Sequence, residues 1–431
     1  MSTVSRRDFL RLTGTMAGAV AGAGALGACT TSSSSSGGSG AGASTAKVVL
    51  QSSLSDPDPK KALQALVEAY PRGATLNTVA IEQFRAQLPT YLNSSNPPDV
   101  LTWYAGSVAR DYASKDLLLD VSDLWTGNGA CAQYSDALKQ LSTDEAGKQI
   151  FVPTSYYWWG VFYRKSAFAK WGVNAPSTWD QFLGVCDDLK TKNIHALTMG
   201  TGSTPWVASG WFDYLDLRVN GAKFHRELLA GQHSFDSPEV HAVMDRYAEL
   251  LPYFDPNGRS YAWQQAVTPL VQGKAAMYLV GAFITSAVPA DVVDDLDFFR
   301  VPIIDDSLPV AEEAPTDGYF ASAKTHNAKG TRQMLSYLAS PASQQKFIEL
   351  SKSSNLPTSP SVDTSNFTPL VKKGIAFLGE TDEITQFFNR DSSDELQTTA
   401  DAALTKFLDK PKDVSSILAD WQSSASRVFK S

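Results

Sequence analysis

Residues 153–164 read PTSYYWWGVFYR. Four aromatics in succession, Tyr156 to Trp159, are followed by Gly160 and then by Phe162 and Tyr163. Side chains alternate across a strand. Trp158, Gly160, Phe162 and Arg164 therefore share one face, and Tyr157, Trp159, Val161 and Tyr163 the other. Val161 and Tyr163 suit a core better than Arg164 does. That turns Trp158 toward the open side, although Gly160 loosens the pattern. A strand this aromatic is either the inside of a core or a surface made for stacking, and the flanking sequence has to decide.

Upstream, KVVLQSS (47–53) reads as a buried first strand. PKKALQALVEAYP follows with helical spacing of Leu63, Leu66 and Val67, and Pro71 as its stop. ATLNTVAI (74–81) is a second strand, EQFRAQLPTYLNS a helix broken or begun at Pro89, and PPDVLTWYAG a third strand entering a loop. Strands alternating with helices over short connections predict an α/β fold. Ligands in such folds bind beyond the carboxyl ends of strands, which makes Glu82, Gln83, Trp103 and Tyr104 candidates. Downstream, Ser177 or Thr178 is placed to cap a helix beginning near Trp179. FDSPEV opens another helix, AAMYLVG (275–281) is a short strand ending at Gly281, and DGYFASAKTH is a strand with a glycine-permitted bend at Gly318. From Asp382 onward the chain reads as helical and amphipathic.

Residues 1–28 read as an export address and not as part of the fold. Arg6 and Arg7 precede Phe9 and Leu10, a Gly/Ala-rich apolar stretch runs from Leu12 to Leu26, and LGAC closes at Cys29. The pattern looks like a twin-arginine lipoprotein signal peptide, cut before Cys29, with lipid on that cysteine. The apolar stretch is shorter than the ~20 residues of a stable span. Residues 29–45 are then the lipidated cysteine and a Ser/Gly-rich tether, a composition that behaves as flexible coil. The mature chain is expected outside the cytoplasmic membrane, lipid-anchored to the bacterial cell membrane. Losing Arg6, Arg7, Arg11 and Asp8 takes the formal net charge from −8 to about −10.

About 400 residues remain, too many for one core and enough for two domains. The 43% hydrophobic and 19% charged fractions belong to a soluble globular chain. Its acidic balance argues against nucleic acid or an anionic lipid surface as partner. After Cys29 only Cys131 and Cys186 remain, expected as two free, buried thiols. Five histidines without a CxxC or HExxH spacing leave no recognisable metal site, and no cofactor is expected.

Six pieces stand in order along the chain: PPDVLTW, VPTSYYWWGVFYRKSAFAKWGVNAPSTWDQFLGVCDDLK, FDSPEV, GKAAMYLVGAF, NLPT and FNRDSSDELQTTADAALTKFL. Their order and spacing resemble the extracellular solute-binding proteins of carbohydrate ABC transporters, the group that includes the maltose-binding proteins (solute-binding family 1). The second piece is the most specific: an aromatic strand ending in Tyr-x-Lys, the turn FAKWGV, then Pro-x-x-Trp-Asp opening a helix. The resemblance implies two α/β lobes of the periplasmic-binding-protein kind, joined by hinge crossings, with a ligand trapped in the cleft by closure. Lobe 1 would take residues 46–156 and 312–350, and lobe 2 residues 157–311 and 351–431. The aromatic run then falls at the first crossing, with Trp158 expected to face the cleft.

A sugar ring offers hydroxyls on its edge and apolar C–H groups on its faces. Its site combines aromatic platforms with charged or amide hydrogen-bonding groups. Under the resemblance, the first lobe supplies Glu82, Gln83, Trp103 and Tyr104, and the crossing supplies Tyr157, Trp158 and Trp159. Trp206 and Trp211 follow the HALTMG stretch; Gly281 and Phe283 occupy the place where the family often has Gly-x-Trp. Asp317, Gly318 and Tyr319 lie at the return crossing, and Arg390 and Asp391 in FNRDSSDEL. Trp125, Trp171 and Trp179 read as core or cap packing.

The expected function is a monomeric, non-catalytic receptor that captures a sugar or oligosaccharide and delivers it to two ABC permease subunits. Two other functions were open to the same residues. A secreted glycoside hydrolase would need two carboxylates facing each other about 5–10 Å apart, and no nucleophile elbow or other catalytic signature stands in the chain. A receptor for a non-sugar solute would need clustered Arg or Lys for a glycerol phosphate ester, or several acids for a polyamine. A polyol would make no such demand. The aromatics with Arg390 and Asp391 suit a neutral sugar best.

Overall fold

The computed structural model describes residues 47–351 and 354–430. The signal peptide, Cys29 and the tether lie outside the described residues, as does the side chain of Glu82. Among the described residues, no helix is long and apolar enough to cross a membrane.

Two separate sheets organise the chain. Three parallel strands open the first: β1 (Val48–Ser52), β2 (Ala74–Thr78) and β3 (Val100–Tyr104). Helices α1 (Pro57–Glu68) and α2 (Ile81–Asn93) connect them. α1 buries Leu63, Leu66 and Val67, the stripe that its spacing predicts. α2 begins at Ile81, so Glu82 and Gln83 belong to its first turn instead of a strand end, and Gln83 is exposed. The helix also runs through Pro89, which cannot donate to the Arg85 carbonyl one turn back.

After β4 (Val152–Tyr156) the chain leaves this sheet, and β5 (Trp159–Arg164) begins the second. With β6 (His195–Leu197), β7 (Ala275–Gly281) and β8 (Leu296–Phe299) it forms the order β6-β7-β5-β8. The helix Trp179–Thr191 is held by a capping box in which Thr178 and Gln181 exchange side-chain and backbone hydrogen bonds. Ser237 caps the helix Pro238–Leu250 by accepting from the Val240 amide, with Pro238 in its first turn. β9 (Ala311–Glu313) then pairs in parallel with β12 (Glu383–Thr385). β10 (Thr316–Ala321) returns to the first sheet between β3 and β4. Leu356–Pro357, expected on the second-lobe side, forms β11 at the edge of the first sheet, whose order is β11-β4-β10-β3-β1-β2. The bend expected at Gly318 is a register shift between Asp317 and Gly318. A Cβ on Gly318 would sit 2.2 Å from the Val152 carbonyl, so only glycine lets the two strands close there. Cys131 and Cys186 are free and buried.

One expectation for the opening stretch fails. Trp158 is fully buried, with its ring 5.3 Å from Phe298 and 6.4 Å from Phe162. The helix Pro369–Gly379 covers it so closely that a Cβ on Gly374 would sit 2.6 Å from the indole. The premise was that only one face of β5 meets a core. In an α/β layer both faces are covered, and Val161 and Phe162, on opposite faces, are equally buried.

Candidate functional site

Only Tyr157 and Trp158 separate the last residue of β4 from the first of β5. Trp158 turns into the second core, and Tyr157 stays half-buried at the junction. Around Tyr157 gather side chains from both sheets.

From the first sheet, Asp317 and Tyr104 are direct cross-strand partners at the end of β3, so their side chains leave the same face together. Arg390, in the short turn after β12, donates from Nη1 to Asp317 Oδ1 at 2.7 Å. Its guanidinium carbon lies 4.2 Å from the centroid of the Tyr104 ring and 5.5 Å from that of Tyr157. The planar cation is thus stacked against two tyrosines while one edge holds a carboxylate. Burial works against the Arg390 charge, but the facing Asp317 and the two tyrosine hydroxyls outweigh it and hold the group above its usual value. The Tyr157 hydroxyl is pushed up, chiefly by burial.

From the second sheet come further rings. Phe283 meets Tyr157 edge-on at 5.7 Å, Trp159 at 6.0 Å and Trp263 at 4.9 Å. Trp159 lies flat on Phe387, 4.6 Å away at 18°, and both are buried, making a floor. Trp206, at the start of the helix Val207–Val219, stands edge-on to Trp159 and Phe387. Tyr104, Tyr157, Trp206, Trp263 and Phe283 are all half-buried and form the rim. Glycine makes the fit possible twice. A Cβ on Gly281 would sit 2.4 Å from the Phe283 ring, and one on Gly210 would sit 2.7 Å from Trp159. The result is an aromatic basin with one ion pair at its edge. It offers flat apolar faces, N–H donors and a carboxylate acceptor.

Other candidates sit elsewhere. Trp103 is stacked between Phe84 and Tyr104 and backs the Tyr104 ring. Trp211 packs among Phe182 and Phe254, and Tyr319 is buried between β3 and β4, so neither reaches the basin. Asp391 is buried and accepts from the Ser107 amide at 2.7 Å, with Arg110 3.6 Å away, instead of turning to the basin beside Arg390. A groove of about 930 Å³ adjoins this corner, running from Tyr104 past Ser107 and Arg110 to Asn389 and Arg226. Trp263 and Phe387 were missed. Trp263 lies in SYAWQQAV (260–267), ahead of the AAMYLVG strand, in a stretch given no role. Phe387 directly precedes FNRD, the segment singled out.

Behind the floor, the second crossing carries buried charge. Glu312 accepts from Arg218 at 2.6 Å and from Arg300 at 2.7 Å. Among the described residues, no salt bridge reaches its neighbour Glu313, whose buried carboxyl lies close to that of Asp213, and neither Glu313 oxygen has a hydrogen-bond partner. Burial and this like-charged partner push Glu313 well above the usual range, and burial raises Asp213 to about 6. The Tyr214 hydroxyl ties the two layers together, accepting from the Glu313 amide and donating to the Trp159 carbonyl. Among the described residues, no group of three or more His, Cys, Asp or Glu is placed to hold a metal.

A family model described as bacterial extracellular solute-binding protein matches residues 55–345, and the chain belongs to that family, one of binding proteins and not of enzymes. The structure superposes on that of the bacterial solute receptor AcbH with a TM-score of 0.83 at 26% identity, over 89% of this chain and 98% of that one. That receptor is described as having an exclusive preference for β-D-galactopyranose. A probable sugar-binding periplasmic protein of Rhizobium meliloti is 25% identical over 63% of this chain and 64% of its own length. An uncharacterized ABC transporter extracellular-binding protein of Pyrococcus horikoshii is 22% identical over 60% and 58%. The chain spans 58% of the length of that Pyrococcus relative and as little as 34% of another curated relative that it matches. The two-sheet α/β architecture is that of the two-lobed solute-binding proteins.

Proposed function

We propose that this protein is the sugar receptor of an ABC importer, working outside the cytoplasmic membrane. The observation that carries the reading is the half-buried aromatic basin of Tyr104, Tyr157, Trp206, Trp263 and Phe283 beside the Arg390–Asp317 pair. Flat rings fit the C–H faces of a pyranose, and the pair fits its hydroxyl edge. The likeness to a galactose receptor and to sugar-binding relatives supports the same choice of ligand.

In this reading a lobe built on the first sheet, residues 47–156 with 316–350 and β11, and a lobe built on the second sheet close on the sugar. The crossings at Tyr157–Trp158 and at Ala314–Pro315 are the hinge, so closure changes the gap between Tyr104 and Asp317 on one side and Trp206, Trp263 and Phe283 on the other. The receptor works as a monomer, makes no covalent change in its ligand and hands it to two permease subunits. Twin-arginine export and lipid on Cys29 keep it at the membrane.

Thermal shift and calorimetry against D-galactose, D-glucose, oligosaccharides, polyols and polyamines test the reading. A sugar is expected to raise Tm, by the stabilisation that any ligand of the native state brings. A shift with a polyamine or polyol and none with any sugar would overturn it. Mass spectrometry of the membrane-associated protein, searching for a lipid-modified Cys29, tests the anchor.

A further inference from the structure

An arginine at the lip of a sugar site ordinarily argues for an acidic ligand, because a guanidinium binds carboxylates in a fork. Here the arrangement argues the opposite. Arg390 already holds a carboxylate, Asp317, at 2.7 Å, and its ring-facing surface is taken by Tyr104 and Tyr157. The other cations nearby are also matched. Arg110 faces Asp391, and Arg85 is paired with Asp394. Among the described residues, the basin therefore has polar groups but no unmatched positive charge. Asp317 keeps about a quarter of its side chain exposed and Arg390 about a fifth. Together they can still offer hydroxyls an acceptor and donors, with zero net charge.

We propose that the Arg390–Asp317 pair makes this site selective for a neutral hexopyranose over the corresponding hexuronic acid, with Asp317 as the specificity-determining residue. The inference rests on the sugar-receptor reading. A uronate carboxylate at C6 would have two ways to sit. It could lie beside Asp317, where like charges repel across a ring-lined, poorly solvated surface. It could instead displace Asp317 from Arg390 and leave that carboxylate half-buried without its cation, a costly loss. The electron-rich faces of Tyr104 and Tyr157 favour the cation and repel an anion. A hydroxymethyl group meets none of these penalties.

The test is calorimetric titration of the mature protein with D-galactose, D-glucose, D-galacturonate and D-glucuronate at pH 7. The wild type is expected to bind one of the hexoses and to bind its uronate about 100-fold more weakly or not at all. Asp317→Asn frees the guanidinium, so it is expected to weaken hexose binding and to strengthen uronate binding in absolute terms. Asp317→Glu is expected to restore the preference for the hexose. Melting curves of each variant separate an unfolded protein from a folded one of changed selectivity. Equal affinity of the wild type for hexose and uronate overturns the inference while leaving the receptor reading intact. So does a folded Asp317→Asn variant that gains no uronate affinity, because a merely structural role for Asp317 would lower both. If the wild type binds neither hexoses nor any other sugar, the receptor reading falls and takes this inference with it.

Discussion

The two crossings that meet at the basin are made of different materials. The first, at Tyr157–Trp158, brings rings: one to the rim and one to the second core. The second, at Ala314–Pro315, is flanked by three carboxyl groups, Glu312, Glu313 and Asp317. Each of these has a different solution to its charge. Glu312 is buried between two arginines, Asp317 is about a quarter exposed and holds one, and Glu313 has only another acid beside it. Rings can tolerate small shifts because stacking is broad in geometry. Buried charges cannot, because a lost partner leaves the desolvation cost uncompensated. The second crossing is therefore the more brittle of the two.

That contrast breaks most visibly at Arg218. Arg218→Ala removes one of the two cations on Glu312 and frees the carbonyls of Val301 and Ala311. A loss of about 3–5 kcal/mol is expected in chemical denaturation. Trp158→Ala is expected to cost a similar ~3–5 kcal/mol by opening a cavity between Phe298 and Gly374, with sugar affinity unchanged where the variant is folded. Loss of binding at unchanged stability would return Trp158 to the site. Tyr157→Ala should do the reverse. It is expected to weaken sugar binding tenfold or more, about 1.4 kcal/mol, with little change in Tm, since Tyr157 is half-buried.

The smallest effect concerns Glu313. Its folded pKa and that of Asp213 are raised, so the native state holds a proton that the unfolded chain gives up. That contribution is complete below the unfolded value near 4 and is lost as pH rises through about 6 and beyond. Glu313→Gln removes the ionisable group that faces Asp213 while keeping its shape. Melting curves are expected to show a gain of a few degrees at pH 8 and less at pH 5. An equal change at both pH values would mean that the pair shares no proton.

How much of this was legible in the sequence depends on the scale of the signal. β1 to β3 and their helices follow from long periodic runs. β9, β11 and β12 do not, because strands of two or three residues carry no alternation to read. The rings of Tyr157, Trp159, Trp206 and Phe283 stood out as aromatics next to glycines or at element ends. Trp158 was assigned to the wrong side because alternation tells which residues share a face, not whether a helix lies over it. Asp391 shows the same limit. Adjacent residues in a short turn diverge, and nothing in FNRD distinguishes the one that meets Asp317 from the one that meets Ser107.

Asp391 has a further consequence. Its carboxylate, on a segment that follows the β9–β12 pair, caps the first turn of α3 (Ser107–Ser114), which follows β3 of the other sheet. Gly106 makes the approach possible. Its φ is +100°, and a Cβ there would lie 2.7 Å from the Asp391 oxygen. Separating the lobes would strip that helix of its cap and expose the Ser107 amide to solvent. Under the proposed closure of two lobes, hydrogen exchange at the Ser107 amide is expected to report whether the segment carrying Asp391 parts from α3.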